Sequence, residues 1–341
     1  MADGNVIEVK NLQKHFAVRQ KLFKKNSGGV LKAVDDVSFS IPKGHSLGIA
    51  GESGCGKTTT GKMLLQLYKP TGGTYLFNGK DVTDIQTTKD MKAFRKQAQL
   101  MFQNPFEALN PRFTISRSLQ EPLIVHGIGH RDERVFLVKQ ALEKVNLYPA
   151  ESFMDKYPHQ MSGGQLQRVV LARALIIDPL FLVADEPVSM LDVSVRAGVL
   201  NLMKDVTKSM KLTTVYISHD LSLIQYMCEQ TAIMYLGKIV EIGDTKRVIE
   251  SPKHPYTRAL ISAVPVPNPE KRGEEITISN HVPSPINLPK GCSFQDRCPF
   301  VESICRQEAP ELKETEDGHK VACHMIHNGA AAEPKVTTVP V

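Results

Sequence analysis

An α/β fold with a parallel core sheet is predicted for this chain of 341 residues by two observations, and a third predicts its division into domains. A short apolar run leads into a glycine-rich loop and then into a helical segment near residue 50. Two later apolar runs end in charged or polar side chains, as is typical of strands buried on both faces. Beyond about residue 250 prolines become frequent, which places a domain boundary there.

The glycine-rich loop is GESGCGKTT, and it lies between a predicted strand at Ser46–Ala50 and a predicted helix at Thr59–Tyr68. It matches the phosphate-binding pattern GxxxxGK[ST] in the strand–loop–helix context that this pattern requires. Its glycines allow the backbone N–H groups to face phosphate oxygens, Lys57 can reach the β- and γ-phosphates, and Thr58 can ligate Mg²⁺. The full set is Gly51, Glu52, Ser53, Gly54, Cys55, Gly56, Lys57, Thr58 and Thr59. The loop predicts nucleotide binding.

Charge and hydropathy exclude two other classes of protein. The net charge of +6 is spread along the chain rather than gathered in one block, so we expect no binding to nucleic acid. The most apolar region, 169–184, is interrupted by Arg173, Asp178 and Pro179 and is too short to span a membrane. The N-terminus lacks the pattern of a secretory signal. We expect a cytoplasmic chain, with any membrane part supplied by a partner.

Strands of an antiparallel sheet are predicted on both sides of a basic stretch. Val6–Val9 and Val37–Ile41 alternate apolar and polar residues, and Asn78-Gly79 is a hairpin turn signal within 72–82. Arg19–Gly29 is predicted to be a solvated loop, with contact to a partner or to lipid as the alternative.

A helical insertion is predicted over about residues 105–178, where Gln120–His126 and Arg134–Val145 have helical apolar spacing. Just before it, Gln103 follows a short apolar strand and precedes Pro105. The Gln103 amide could therefore sense a γ-phosphate through Mg²⁺ or water.

Two core strands end in candidate catalytic residues. The run 180–184 ends in Asp185 and Glu186, and Thr213–Ile217 ends near His219. Asp185 could hold Mg²⁺ opposite Thr58, Glu186 could polarise the attacking water, and His219 could donate to the γ-phosphate. Taken alone, Gln103 and His219 would each be more typical of surface polar residues.

A second anion site is indicated at Ser162, Gly163, Gly164 and Gln165, just before a helix predicted to begin near Leu166. A Ser hydroxyl and two glycine N–H groups at a helix N-terminus can bind phosphate. An ordinary helix cap is the alternative interpretation.

The order of these motifs resembles the ATP-binding subunit of ABC transporters over about residues 5–250. The matching segments are GESGCGKTT, MFQNP, MSGGQLQR, FLVADEP, SMLD and ISHD, with Met161 and Met190 as small departures. The resemblance implies a P-loop NTPase core of the ABC ATPase type over 1–250, with an antiparallel β subdomain and a helical subdomain at about 104–178.

The resemblance also implies residue roles. Glu186 would be the catalytic base, Gln103 the Q-loop, Ser162–Gln165 the signature, and His219 the switch. Ser189–Asp192 would form the D-loop, with Asp192 near the nucleotide, and Phe16, or else His15, would stack on adenine. Such domains form head-to-tail dimers that hold two ATP molecules with Mg²⁺, so this single cassette needs a partner.

Four of the six cysteines fall in the last fifth of the chain, at Cys292, Cys298, Cys305 and Cys323. Their spacing lacks the C-x2-C pairs of zinc ribbons. An iron–sulfur cluster, reduced thiols and another metal all remain open on spacing alone.

This tail resembles the C-terminal extension of oligopeptide/dipeptide importer ATPases, on His254–Leu260, Pro283–Pro285 and the four cysteines. The resemblance implies a small irregular extension over 251–327 whose cysteines ligate a [4Fe-4S] cluster, with His319 or His324 as substitutes. Residues 328–341 are predicted to be disordered.

The predicted function is therefore that of an ATPase subunit driving import of di- or oligopeptides. The implied partners are a paralogous ATPase in a heterodimer, two transmembrane permease subunits and an extracytoplasmic substrate-binding protein. The chain would be peripheral on the cytoplasmic face of the plasma or inner membrane, and the insertion that includes Phe23–Gly29 favours the second of the paired ATPases. Nickel, glutathione or oligosaccharide cargo, or a soluble ABC ATPase of DNA repair or translation, are the alternatives.

Overall fold

A computed structural model describes residues 4–18, 29–263, 290–315 and 318–329, together with 278, 279, 283, 285, 286 and 288. The predicted basic loop lies outside the described residues except for Gly29, and so does the predicted tail beyond 329. Within the described ranges, no helix combines the length and apolar character needed to cross a bilayer.

The described strands, in chain order, are β1 (Asn5–Val18), β2 (Gly29–Pro42), β3 (Ser46–Ala50), β4 (Gly72–Phe77), β5 (Lys80–Asp81), β6 (Ala98–Met101), β7 (Phe181–Asp185), β8 (Thr213–Ser218), β9 (Gln230–Tyr235), β10 (Lys238–Asp244), β11 (Lys313–Glu314) and β12 (Lys320–Val321). The described α-helices are α1 (Lys57–Leu64), α2 (Thr88–Gln97), α3 (Pro105–Ala108), α4 (Ile115–His126), α5 (Arg131–Lys144), α6 (Glu151–Met154), α7 (Gly163–Leu175), α8 (Val193–Ser209), α9 (Leu221–Met227), α10 (Thr245–Glu250), α11 (Pro255–Ser262), α12 (Ser303–Gln307) and α13 (His324–His327).

The N-terminal strands form the predicted antiparallel sheet, in the order β2-β1-β4-β5. β1 and β2 are longer than their apolar alternation indicated, because register shifts break the alternation between Val9 and His15. The sheet packs one face onto the core, where Ile7, Leu12 and Val37 are fully buried.

The core sheet has the order β11-β12-β10-β9-β3-β8-β7-β6. β9, β3, β8, β7 and β6 are mutually parallel, so their carboxyl ends meet at one edge. β3 and β8 are buried along their whole length, which explains their continuous apolar sequences. This confirms the predicted α/β class. The residue that follows each parallel strand therefore lies at the same edge of the sheet.

Helices α3 to α7 form a compact block between β6 and β7, inside the range predicted to be helical. The block contributes Leu119, Val138 and Leu166, among others, to the larger apolar core, and that core also includes the sheet residues Leu182 and Tyr216. The helices are therefore held against the sheet by apolar burial.

The C-terminal extension continues the core sheet instead of forming a separate unit. β12 pairs antiparallel with β10 through Glu241↔Val321, and β11 pairs with β12. An isolated bridge also joins Leu31 of β2 to Ile286. The extension thus contacts both sheets.

Candidate functional site

Four parallel strands deliver the predicted site residues to one edge of the core sheet. The phosphate loop follows β3, His219 follows β8, Glu186 follows β7, and Gln103 follows β6. Because these strands are neighbours in this order, their carboxyl ends place the four features side by side.

Two glycines of the phosphate loop have no room for a side chain. Gly51 and Gly56 have φ values of 149° and 110°, and a Cβ at either would lie 2.2 Å from a carbonyl oxygen, of Met234 or Ala33 respectively. The loop therefore needs glycine at both positions, to turn and to approach the backbone of β9 and β2 closely. Helix α1 then begins directly at Lys57.

The Lys57 ammonium group is tied to the loop itself. Its Nζ donates to the carbonyl oxygens of Gly51 at 2.7 Å and Glu52 at 2.8 Å, and the side chain is largely buried. These contacts keep the charge at the mouth of the loop, from where the flexible stem can turn towards phosphate oxygens.

Asp185 and Thr58 form an oxygen pair across the site. The Thr58 hydroxyl donates to Oδ1 of Asp185 at 3.3 Å. Burial raises the pKa of Asp185, the neighbouring Glu186 raises it further, and the Thr58 bond opposes both effects. A carboxylate and a hydroxyl of this kind suit a hard cation such as Mg²⁺, whose charge would offset the cost of burying the carboxylate.

Glu186 and His219 are in direct contact. Oε1 of Glu186 lies 2.7 Å from Nδ1 of His219, with Glu186 half-buried and His219 mostly exposed. Glu186 has a left-handed backbone, with φ at 50°, and its N–H donates to the carbonyl oxygen of Ile217 on β8. The strand end therefore turns sharply and aims the carboxylate at the site.

Lys57, Thr58, Glu186 and His219 line a cavity of about 860 Å³, whereas Asp185 does not line it and reaches it through its contact with Thr58. Its lining includes Ser53, Gly54, Gly56, Lys57, Thr58, Thr59, Gln103, Glu186 and His219, as the sequence predicted, together with Leu31, Ala33, Ser189, Met190 and Pro285. Leu31, Ala33 and Pro285 were not predicted, since nothing in their local sequence marks them. The pairing of β2 with β1 and the bridge at Ile286 place them there.

Phe16, the predicted adenine-stacking residue, does not line this cavity within the described residues. Its ring packs edge to face on Tyr68 with 5.7 Å between centroids, and the Lys14 Nζ lies 5.2 Å from the ring. Its strand partner Leu31 does line the cavity. The alternative residue, His15, contacts Asp35 at 3.1 Å.

The predicted second anion site is separate from the cavity. Ser162 caps α7: its Oγ accepts from the N–H of Gln165 at 3.3 Å, while the Gln165 side chain accepts from the N–H of Ser162. A Cβ at Gly164 would lie 2.4 Å from the Val195 side chain, so glycine allows α7 and α8 to pack closely. Ser162 is exposed, and none of 162–165 lines the cavity.

The segment between Glu186 and α8 is held by Arg196. Its Nε donates to the carbonyl oxygen of Leu191 at 2.8 Å, and its Nη2 lies 3.4 Å from the Ser189 carbonyl oxygen. Asp192 begins α8 with its side chain exposed and without a capping hydrogen bond. Its carboxylate is free to face another molecule.

The four clustered cysteines converge without forming a site for a single metal ion. The N–H of Cys292 donates to the carbonyl oxygen of Cys305 at 2.8 Å. Burial raises the pKa of Cys292 to about 11 and of Cys298 to about 12, and the nearby thiols raise both further. Across the part of the chain that the structure describes, no three His, Cys, Asp or Glu side chains are placed to bind a metal ion. The placement of these side chains therefore does not support the predicted iron–sulfur cluster.

Two family comparisons match successive parts of the chain. The family described as "ABC transporter" matches residues 34–189, and "Oligopeptide/dipeptide transporter, C-terminal region" matches residues 240–305.

Curated relatives match nearly the whole chain. It is 46% identical to the oligopeptide transport ATP-binding protein AppF of Bacillus subtilis, over 94% of this chain and 97% of that one. It is 44% identical to the dipeptide transport ATP-binding protein DppF of Haemophilus influenzae, over 92% and 95%. Among solved structures, a dimeric ATP-binding cassette in a post-hydrolysis state with ADP and Pi matches with a TM-score of 0.61 and 26% identity, over 70% of this chain and 98% of that one.

Proposed function

The chain belongs to the ATP-binding proteins of ABC transporters that carry the oligopeptide/dipeptide C-terminal region, and we propose that it hydrolyses ATP as one half of a heterodimer that drives peptide import. One observation carries this proposal. The phosphate loop, Gln103, Glu186 and His219 line a single cavity, while the signature at 162–165 lies outside that cavity and exposes Ser162. The nucleotide-binding domain is taken as 1–250 and the extension as 251–327.

The polar residues at the site have distinct roles in the proposed chemistry. The loop 51–59 holds the phosphates of ATP, with Lys57 leaving its backbone contacts to reach the β- and γ-phosphates. Thr58, Asp185 and Gln103 would hold Mg²⁺. When bound, the cation neutralises negative charge on the phosphates.

The Glu186–His219 pair acts on the attacking water. The Glu186 carboxylate accepts a proton from that water as it attacks the γ-phosphate. His219 donates through Nδ1 to hold the carboxylate, or in its other tautomer through Nε2 towards the phosphate. Phe16 is proposed to stack on the adenine ring, because its strand partner Leu31 lines the cavity. His15 is the alternative.

The second half of each ATP site would come from a partner. Ser162–Gln165 of one subunit would bind the γ-phosphate held by the other, since a capped helix N-terminus with two glycines is well suited to an anion. Leu191 and Val195 pack against the signature glycines, and Met190, Asp192 and Val193 in the same segment have exposed side chains, which supports an interface there. A paralogous ATPase is the proposed partner.

Permease and binding-protein partners follow from the same function. Two large apolar side chains next to Gln103, Phe102 and Phe106, are 44% and 55% exposed. An exposed apolar pair beside a nucleotide-sensing residue favours a protein contact there. We place the chain peripherally on the cytoplasmic face of the membrane, docked on two permease subunits, with an extracytoplasmic protein delivering the peptide.

Reconstitution tests the function and its cargo together. The chain, co-purified with its permease and second ATPase, should hydrolyse ATP faster when peptide-loaded binding protein is added to proteoliposomes. Stimulation by nickel, glutathione or an oligosaccharide, but not by peptides, would reassign the cargo. Full activity without any membrane partner would favour a soluble ATPase instead.

The cysteines at 292, 298, 305 and 323 are proposed to ligate a [4Fe-4S] cluster. Support comes from the match of residues 240–305, which include three of these cysteines, to the oligopeptide/dipeptide C-terminal region, and from burial, which disfavours free thiolates unless a cation offsets their charge. Anaerobically purified protein should be brown and contain iron and sulfide in equal amounts, and Cys298→Ser should lower both. Zinc alone, or no metal, would contradict the cluster.

A further inference from the structure

Glu52, the second residue of the phosphate loop, is bound by two residues of the C-terminal extension. Its N–H donates to the Tyr256 hydroxyl at 2.9 Å. Its carboxylate accepts two parallel hydrogen bonds from Arg297, at 2.7 and 2.8 Å. A bidentate pair of this kind fixes orientation as well as charge.

Arg297 is itself firmly held. Its Nε donates to the carbonyl oxygen of Ser279 at 2.8 Å, and its guanidinium lies 5.6 Å from the Tyr235 ring and 5.9 Å from the Phe294 ring. The Arg297 side chain is 3% exposed, against 27% for Glu52. The arginine is therefore a fixed anchor, and the loop carboxylate is the group that it holds.

The anchor rests on an aromatic cluster that joins the extension to the core sheet. Tyr235 of β9, Tyr256 of α11 and Phe294 are all fully buried, with ring centroids 4.7 to 5.4 Å apart. β9 is the direct neighbour of β3, the strand that precedes the phosphate loop. The extension thus contacts the loop through a rigid path.

This arrangement matters most when ATP binds. Without nucleotide, Lys57 also holds the loop, through the carbonyl oxygens of Gly51 and Glu52. When Lys57 turns to the phosphates, those two bonds are lost, and Tyr256 and Arg297 remain as side-chain partners of Glu52. Arg297 also neutralises a carboxylate that would otherwise repel the phosphates.

We propose that Arg297 and Tyr256 are positioning residues for ATP, fixing Glu52 and neutralising its charge so that the extension sets the ATP affinity of the cassette. The inference rests on the proposed function, because it concerns the same ATP site. It assigns to the extension a role in nucleotide binding that does not depend on whether the cysteines carry a cluster.

The test is ATP affinity, measured by isothermal titration calorimetry on the full chain. Arg297→Gln should weaken ATP binding by about tenfold, because the loop that holds the phosphates then carries an unpaired, no longer fixed carboxylate. The ATP affinity of Arg297→Lys should lie between those of the wild type and Arg297→Gln, since lysine keeps the positive charge but cannot form the bidentate pair with Glu52. Glu52→Gln/Arg297→Gln should bind ATP more tightly than Arg297→Gln alone, because the repelling charge is gone.

A matched control separates this effect from loss of folding. Lys313→Gln removes an exposed ion pair with Glu311 in the same extension and should leave ATP affinity unchanged. If Arg297→Gln and the double variant both bind ATP as the wild type does, the inference is wrong while the ATP site stands. If the double variant is weaker than Arg297→Gln, charge neutralisation is wrong. If the wild type itself does not bind ATP, the proposed function fails.

Variants that unfold are detected by thermal unfolding of the same samples. If Arg297→Gln unfolds, ATP affinity is measured on Tyr256→Phe instead. This substitution removes only the hydroxyl that accepts a hydrogen bond from the N–H of Glu52. Weaker ATP binding by a folded Tyr256→Phe chain supports the inference, and unchanged binding contradicts the role of Tyr256.

Discussion

Oε1 of Glu186 lies 2.7 Å from Nδ1 of His219, and the two residues follow neighbouring parallel strands. The carboxylate is half-buried, and its backbone is held in a left-handed conformation by a hydrogen bond to Ile217. A residue other than glycine in this conformation is held there by its surroundings at a cost of about 1–3 kcal/mol. The fold thus holds this carboxylate at the cavity at a cost in stability.

Removing the histidine of this pair should slow hydrolysis without weakening ATP binding. His219→Ala is expected to lower the ATP turnover of the assembled complex by about 10- to 100-fold, because Glu186 loses the partner that orients it. His219→Gln keeps a donor and should retain more activity. Turnover and ATP affinity are measured on the same preparations, and parallel losses of both would argue against an orienting role.

Asp185→Asn should stabilise the nucleotide-free chain while abolishing hydrolysis. The pKa of Asp185 is raised in the folded state, chiefly by burial, so its ionised form costs folding free energy at neutral pH. That cost is absent below the unfolded pKa, grows as the pH rises from the unfolded pKa to the folded one, and is fully present above the folded pKa. At pH 7 we expect the unfolding temperature to rise by about 2 °C and turnover to fall by about 100-fold or more.

The control for this variant is pH. At pH values below the unfolded pKa of aspartate both chains are neutral at residue 185, so the difference in unfolding temperature should shrink. A variant that is less stable than the wild type at pH 7 would contradict an uncompensated buried charge.

Ser162 offers a test that separates helix capping from the signature role. Ser162→Asn and Ser162→Asp both keep a side-chain acceptor for the N–H of Gln165, so each should fold as the wild type does. If the signature acts as proposed, only Asp adds a negative charge facing the partner's ATP. We expect the turnover of the heterodimer to fall by about tenfold more for Asp than for Asn. Equal turnover would mean that this helix end does not face a phosphate.

His254 should make the extension sensitive to acid. Burial lowers its pKa from 6.5 to about 4, and its Nδ1 accepts from the Tyr256 N–H at 3.0 Å, while its own N–H donates to the buried Glu241. Between pH 6.5 and about pH 4, His254 binds a proton in the unfolded chain but not in the folded chain. The free energy of unfolding therefore falls as the pH falls.

The lost stability is about 3 kcal/mol between pH 6.5 and 4. His254→Asn keeps a capping acceptor for α11 and removes the titrating ring. Urea unfolding between pH 6.5 and 4 should show a smaller loss of the free energy of unfolding for His254→Asn than for the wild type. The same pH dependence in both chains would assign the acid sensitivity to other groups.

The strand-end residues could be predicted because a general rule applies to them. Parallel strands bring their carboxyl ends to one edge, so Glu186 and His219 could both be predicted at the same site, although not their direct contact. The contact of Glu52 with Arg297 could not, because the two lie 245 positions apart with no local pattern linking them. β11 and β12 were missed for a similar reason, since strands of two residues have no periodicity to detect.

Phe16 illustrates a different limit. Its role came from the order of family motifs, and its ring contacts Tyr68 rather than lining the cavity, while the strand partner Leu31 does line it. Register within a pair of strands with several irregularities decides which residue faces the nucleotide. Sequence order alone does not determine that register.

The most direct test of the central claim is the ATP turnover of the assembled complex carrying Glu186→Gln. The amide keeps the size of the side chain but cannot accept the proton of the attacking water. We predict turnover slower by about 100-fold or more, ATP affinity within about twofold of wild type, and a heterodimer trapped closed with ATP. Hydrolysis at the wild-type rate would contradict the assignment of Glu186 as the catalytic base.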